Sequence, residues 1–158
     1  MKCECCGADI GEFAFDKAYA MPDEIWDLSE QEREARTITD NDLCRLDDRY
    51  FIRGVAYVPV LDSDQSYGWG IWVEVDIKDF KLYNENYDND NSSLPSFTGQ
   101  IANALPNYKK ETTGVSVEIK LGNETQRPTL FCCDYAHPLA HEQRDGIPLR
   151  RVHEFNSN

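Results

Sequence analysis

Tyr50-Phe51-Ile52-Arg53-Gly54-Val55-Ala56-Tyr57-Val58-Pro59-Val60 and Tyr67-Gly68-Trp69-Gly70-Ile71-Trp72-Val73-Glu74-Val75 are the two runs whose reading decides the fold. Both are rich in β-branched and aromatic residues and nearly free of charge. In the second, Tyr67, Trp69, Ile71, Val73 and Val75 recur with the period of two that places them on one face of a strand. Between the runs, Asp62-Ser63-Asp64-Gln65-Ser66 is turn chemistry. The pair predicts an antiparallel hairpin. Gly54, Gly68 and Gly70 are poor strand residues and mark bulges or close backbone approach.

Working outward, Val115, Val117, Ile119 and Leu121 alternate with Ser116, Glu118 and Lys120, a half-buried strand. Gly122-Asn123 turns it into another, Thr129 to Asp134. Helices are expected elsewhere. Met21-Pro22-Asp23-Glu24 opens a short one. Ser29 and Glu32 form a capping box for a second, ending near Arg36. Asp76 caps a third, with Ile77, Phe80, Tyr83 and Tyr87 at helical spacing. Phe97 to Leu105 reads as a short helix ended by Pro106. His137–Arg144 and Pro148–Phe155 close the chain, with Pro138 suited to a first helical turn. Residues 84–93, rich in Asn and Asp, read as a mobile loop. The expected fold class is α+β: an antiparallel sheet of about four strands in two hairpins, flanked by short helices, with an N-terminal Cys-rich knuckle. One domain spans 1–158, with the knuckle at 1–12 and a frayed tail at 156–158.

The balance of 29 acidic against 16 basic residues gives a formal net charge of -13. Nucleic acid and anionic membranes repel such a surface, and no basic patch larger than Lys109-Lys110 or Arg150-Arg151 relieves it. A basic protein partner is the class of partner this charge would suit. No apolar run approaches the ~20 residues that span a bilayer, and the start lacks the apolar stretch of a signal peptide. The expected compartment is the cytoplasm, where six cysteines are thiols or metal ligands rather than disulfides.

Several strings occur together and in order: the opening Cys3-x-x-Cys6-Gly7, Asp42-Leu43-Cys44-Arg45-Leu46-Asp47, Tyr50-Phe51-Ile52-Arg53-Gly54, Trp69-Gly70-Ile71-Trp72-Val73, and His137-Pro138-Leu139-Ala140-His141-Glu142-Gln143-Arg144-Asp145-Gly146-Ile147. In these the chain resembles the bacterial family called domain of unknown function 2199, over nearly its whole length. The resemblance implies a bacterial protein of one domain with no assigned activity, and it supplies no catalytic residue. Cys5, Cys132 and Cys133 lie outside these motifs.

Cys3-x-x-Cys6-Gly7 has the knuckle spacing in which backbone N–H groups face metal-bound thiolates. Cys44 offers a third sulfur. His137 is the first choice for a fourth ligand, ahead of His141 or Cys5. The expected ion is a structural zinc, in a binding or interaction module. The competing readings are incidental thiols and a redox pair. The alternative function is a small zinc enzyme using His137 or His141 with Glu142 as base. Arg53, alone among uncharged strand residues, is expected to be buried against a carboxylate, with Asp47, Asp48 and Glu74 as candidates. Trp69 and Trp72 point to opposite faces; core packing is the default for both, with lining a groove the alternative for one of them.

Overall fold

A computed structural model describes residues 13–157. The described strands are β1 (Asp16–Ala18), β2 (Thr37–Thr39), β3 (Leu43–Leu46), β4 (Arg49–Pro59), β5 (Ser66–Val75), β6 (Phe97–Ile101), β7 (Ser116–Lys120) and β8 (Thr129–Cys132). The helices are α1 (Asp23–Trp26), α2 (Glu30–Arg36), α3 (Ile77–Glu85), α4 (Pro138–Asp145) and α5 (Leu149–Asn156). The α+β content agrees with expectation, but the sheet does not. In place of about four strands in two hairpins, β4-β5-β6-β7-β8 form a ring that closes where β8 runs parallel to β4 at Val55↔Thr129. Three further strands, β1, β2 and β3, extend it.

The long central hairpin makes this possible. β4 and β5 pair antiparallel over ten residue pairs, from Tyr50↔Val75 to Pro59↔Ser66. Their partners are short, so each outer edge is shared by two neighbours. β3 covers β4 from Arg49 to Ile52 and β8 takes over at Val55. β1 runs along Gly68–Gly70 of β5, and β6 continues at Val73 and Glu74. The strand ladder is regular at Gly54, whose role is close approach. A Cβ there would lie 2.8 Å from Leu130 Cδ2 and 2.9 Å from the Pro128 carbonyl, at the closing seam.

Alternation sorts the side chains into two cores. Ile52, Ala56 and Val58 of β4 point into the barrel with Tyr67, Trp69, Ile71, Val73 and Val75 of β5. Val117, Ile119, Leu130 and Cys132 fill the far wall. Phe155 of α5 packs 4.8 Å, ring to ring, from both Tyr67 and Trp69, while α3 brings Phe80 to 5.0 Å from Tyr50 near the opposite end of the hairpin. Outside the barrel, Phe51 and Trp72 join Ile25, Cys44, Leu46 and Ala102 in a smaller cluster. Trp69 and Trp72 are thus both fully buried, one in each core, in line with core packing as the default for both. The Trp72 indole N–H donates to the Tyr19 carbonyl at 2.8 Å.

Local signals for helix starts are seen as expected: Ser29 accepts from Glu32 N, Asp76 from Lys78 N, and His137 from Leu139 N. The helix expected from Phe97 to Leu105 is a strand followed by a turn. Phe97 and Ile101 are four apart, a spacing that fits a strand face as well as a helix face. Gly99 settles the matter, because its bare Cα lets the Glu74 carbonyl pass 2.7 Å from where a Cβ would stand. Asn103 then locks the turn, accepting from Trp72 N and donating to the Met21 carbonyl and Asp23. The Asn-rich tract is likewise tied down. Asn91 is buried, its N–H donates to the Gly122 carbonyl, and its amide donates to the Asn86 carbonyl. Asn156 ends α5, and its side chain both donates to and accepts from the Ala14 backbone.

Arg53 corrects another expectation. Asp47 pairs with Arg36 and Glu74 with Arg49, so neither is left for it. Its guanidinium donates instead to the carbonyls of Asn41 (3.0 Å) and Tyr19 (2.7 Å) and lies over the Trp72 ring. Its Nε is buried without a partner among the described residues.

Candidate functional site

Cys3 and Cys6, expected as zinc ligands, lie outside the described residues, as does Cys5. Cys44 is buried in the small outer cluster, where burial pushes its thiol up to about 11. His137 caps α4 beside Tyr108, against the barrel core. Its Nδ1 accepts from Leu139 N at 3.0 Å, so the ring proton sits on Nε2, which donates to the Glu111 carbonyl at 3.0 Å. Both nitrogens are occupied in this arrangement. His141 is exposed, and both oxygens of Glu142 are taken, by Tyr108 (2.6 Å) and Arg151 (2.8 Å). Among the described residues, no three His, Cys, Asp or Glu side chains gather as around a metal.

A different group of residues does converge. Asp42 immediately precedes β3, Tyr83 sits on α3 with Tyr87 just beyond its end, and Arg127 leads into β8. Asp42 is 9% exposed. Its Oδ1 accepts from Arg127 Nε at 2.7 Å and its Oδ2 from the Tyr87 hydroxyl. Burial alone would raise the Asp42 carboxyl. The hydrogen bonds from Arg127 and Tyr87, with the Arg127 and Arg53 charges, outweigh that and hold it below its ordinary 3.8. In turn the Asp42 hydrogen bond, helped by burial, lifts the Tyr87 hydroxyl to about 12.

These side chains wall a hollow of about 290 Å³, completed by Glu124, Thr125 and Gln126. Hydrogen bonds hold its rim in shape. The Asn123 side chain accepts from both the N–H and the hydroxyl of Thr125, Gln126 accepts from Asn123 N, and Asn91 N ties the α3 side to Gly122. Within it, Tyr83 is 5% exposed and its hydroxyl makes no hydrogen bond to a described residue. The terminal nitrogens of Arg127, whose side chain is 47% exposed, make none either. The hollow therefore offers uncommitted donors. Both Asp42 oxygens are spent on holding Arg127 and Tyr87, so among the described residues the free carboxylate on its wall is that of Glu124.

The coupling has a measurable pH signature. Tyr87 is raised in the folded state, so its bond to Asp42 contributes stability that is whole below about pH 10 and is lost as pH rises through about 12. Asp42 is lowered, so on the acid side the contribution is present above about pH 4 and is lost as pH falls through its folded value. The difference in urea midpoint between wild type and Tyr87→Phe should be flat across neutral pH and shrink at both extremes. In Asp42→Asn, Tyr87 should titrate closer to 10, read by tyrosinate absorbance.

Sequence reading quoted Asp42 within a motif and Tyr83 and Tyr87 as helix positions, but passed over Arg127. The available signal was a lone arginine between turn residues and a strand, followed by Pro128.

Over residues 2–147 the sequence matches the family model described as an uncharacterized protein conserved in bacteria, DUF2199. No curated protein and no solved structure matches the chain.

Proposed function

Because the chain belongs to this uncharacterised bacterial family, which brings no activity with it, we propose from geometry that it is a binding module whose cleft at Asp42, Tyr83, Tyr87 and Arg127 takes a small ligand bearing an anionic group. The observation that carries this reading is the pairing of two donors without acceptors among the described residues, the Tyr83 hydroxyl and the outer nitrogens of Arg127, on one hollow. Asp42 fixes the guanidinium through Nε and leaves its two terminal nitrogens for bidentate pairing with a carboxylate. Arg53 adds a second positive charge close enough to act on both Asp42 and Arg127. A hollow of about 290 Å³ stands at the small end of ligand sites, which suits a compact molecule. Cys3 and Cys6 take no part in this reading.

The test is an amide NMR titration with acetate and, separately, inorganic phosphate. Acetate should shift the amides of Thr125, Gln126 and Arg127 saturably, with millimolar affinity as expected for so few atoms. Arg127→Gln should weaken it at least about tenfold, and Tyr83→Phe by less. Absence of saturable shifts with either anion, or unchanged binding in Arg127→Gln, would refute the proposal.

A further inference from the structure

A second hollow of about 310 Å³ adjoins the first. Thr125, Gln126 and Arg127 line both, so the ridge they form is a common wall. The remaining wall is the outer face of the barrel seam, Val55 and Tyr57 of β4 with Thr129 of β8. Tyr57 is 51% exposed, and its ring and the Val55 methyls lean over Gly68, where a Cβ would lie 3.2 Å from Val55 Cγ1 and 3.5 Å from Tyr57 Cε1. Glu124 lies on the wall of the first hollow, where no hydrogen bond or ion pair with a described residue engages its carboxylate.

Resting on the reading above, we infer that the ligand is an α-amino acid with an apolar side chain. Three unspent chemistries surround the ridge: the outer nitrogens of Arg127 with the Tyr83 hydroxyl, the Glu124 carboxylate, and the apolar wall of Val55 and Tyr57. A carboxylate, an ammonium and an apolar arm on one carbon match them in number and kind. Charge supports a zwitterion over a simple anion. Arg127 and Arg53 are offset by Asp42 and Glu124, and an anion alone would leave Glu124 facing it unneutralised. Size supports it as well, because the first hollow holds the head group and the second is large enough for one aromatic ring. The arm gains from area removed from water, on a face otherwise open to solvent. No bond is made or broken, and the protein holds the molecule rather than transforming it.

The experiment compares L-phenylalanine, glycine, 3-phenylpropionate and acetate by the same NMR titration on the full chain. L-Phenylalanine should bind about tenfold tighter than glycine, from burial of its ring. It should also bind several-fold tighter than 3-phenylpropionate, and that second preference should vanish in Glu124→Gln. Tyr57→Ala should erase the advantage over glycine, and ring protons of bound phenylalanine should show cross-relaxation to the Val55 methyls, a readout independent of any variant. Equal affinities for L-phenylalanine and glycine, or a preference over 3-phenylpropionate that survives in Glu124→Gln, would overturn the inference while acetate binding left the anion site standing. If acetate itself fails to bind, the reading of the cleft fails, and this inference with it.

Discussion

Glu142→Ala is expected to cost about 3 kcal/mol of stability, the lower end of the loss seen when one partner of a buried ion pair is removed, since Arg151 keeps an outer bridge to Glu154. The chain of contacts begins deep in the barrel. The Trp69 indole N–H donates to the Tyr108 hydroxyl at 3.2 Å, and that hydroxyl donates to Glu142 Oε1 at 2.6 Å. Arg151 Nε then donates to Oε2 at 2.8 Å. Only 17–18% of the Glu142 and Arg151 side chains is exposed. Arg151 also lies 4.6 Å from the Phe155 ring and donates to the Asn107 carbonyl, so it cannot swing into solvent without opening the end of the barrel. Burial and the nearby Glu142 charge push the Tyr108 hydroxyl well above its ordinary 10. Truncating Glu142 strands the phenol and leaves the guanidinium, among the described residues, only its outer salt bridge to the half-exposed Glu154, at 2.8 Å. For a domain of this size the melting temperature should fall by roughly 10 °C. The double variant Glu142→Leu/Arg151→Met should recover much of that, because it removes both buried charges and leaves only the half-exposed Glu154 carboxylate, which water can solvate. A loss below about 1 kcal/mol would put the pair among idle surface bridges.

Elements whose cause is local could be read in advance, and those whose cause is distant could not. The β4–β5 hairpin follows from alternation and a polar turn. The starts of α2, α3 and α4 follow from Ser29, Asp76 and the His137-Pro138 step, each acting within three residues. Closure of the ring is different. It depends on the single parallel pair Val55↔Thr129, and on the absence of a side chain at Gly54 where Leu130 and Pro128 come in. β1, β2 and β3 are three or four residues long, too short for a periodic signal, and exist because the long strands leave edge to be covered. The cleft has the same character. Asp42 meets Tyr87 from 45 residues away and Arg127 from 85. Arg53 was misjudged because a buried arginine was assumed to need a carboxylate, whereas two carbonyls and an indole face accommodate it.

Ile119→Ala should destabilise by about 2–5 kcal/mol and Lys120→Ala by almost nothing, within about 0.5 kcal/mol. The two are neighbours on β7, so they share strand propensity and backbone environment and differ only in the side of the wall they occupy. Ile119 is fully buried, stands opposite Phe97 and Leu130 in the ladders on either side, and reaches 3.0 Å from the place a Cβ would take on Gly99. Lys120 points outward and is exposed. The cost of a cavity depends on how far its surroundings can collapse. Here β7 is hydrogen-bonded on both edges, to β6 and to β8, within a closed ring. The wall cannot move inward without breaking ladder bonds, so the void persists and the loss belongs in the upper half of the range. Urea titrations should show the midpoint of Ile119→Ala displaced with an unchanged slope, the mark of altered stability rather than altered compactness. A small loss at Ile119 would mean that the barrel wall relaxes, and equal losses at both positions would mean that the inward face of β7 is not the one carrying Val117 and Ile119.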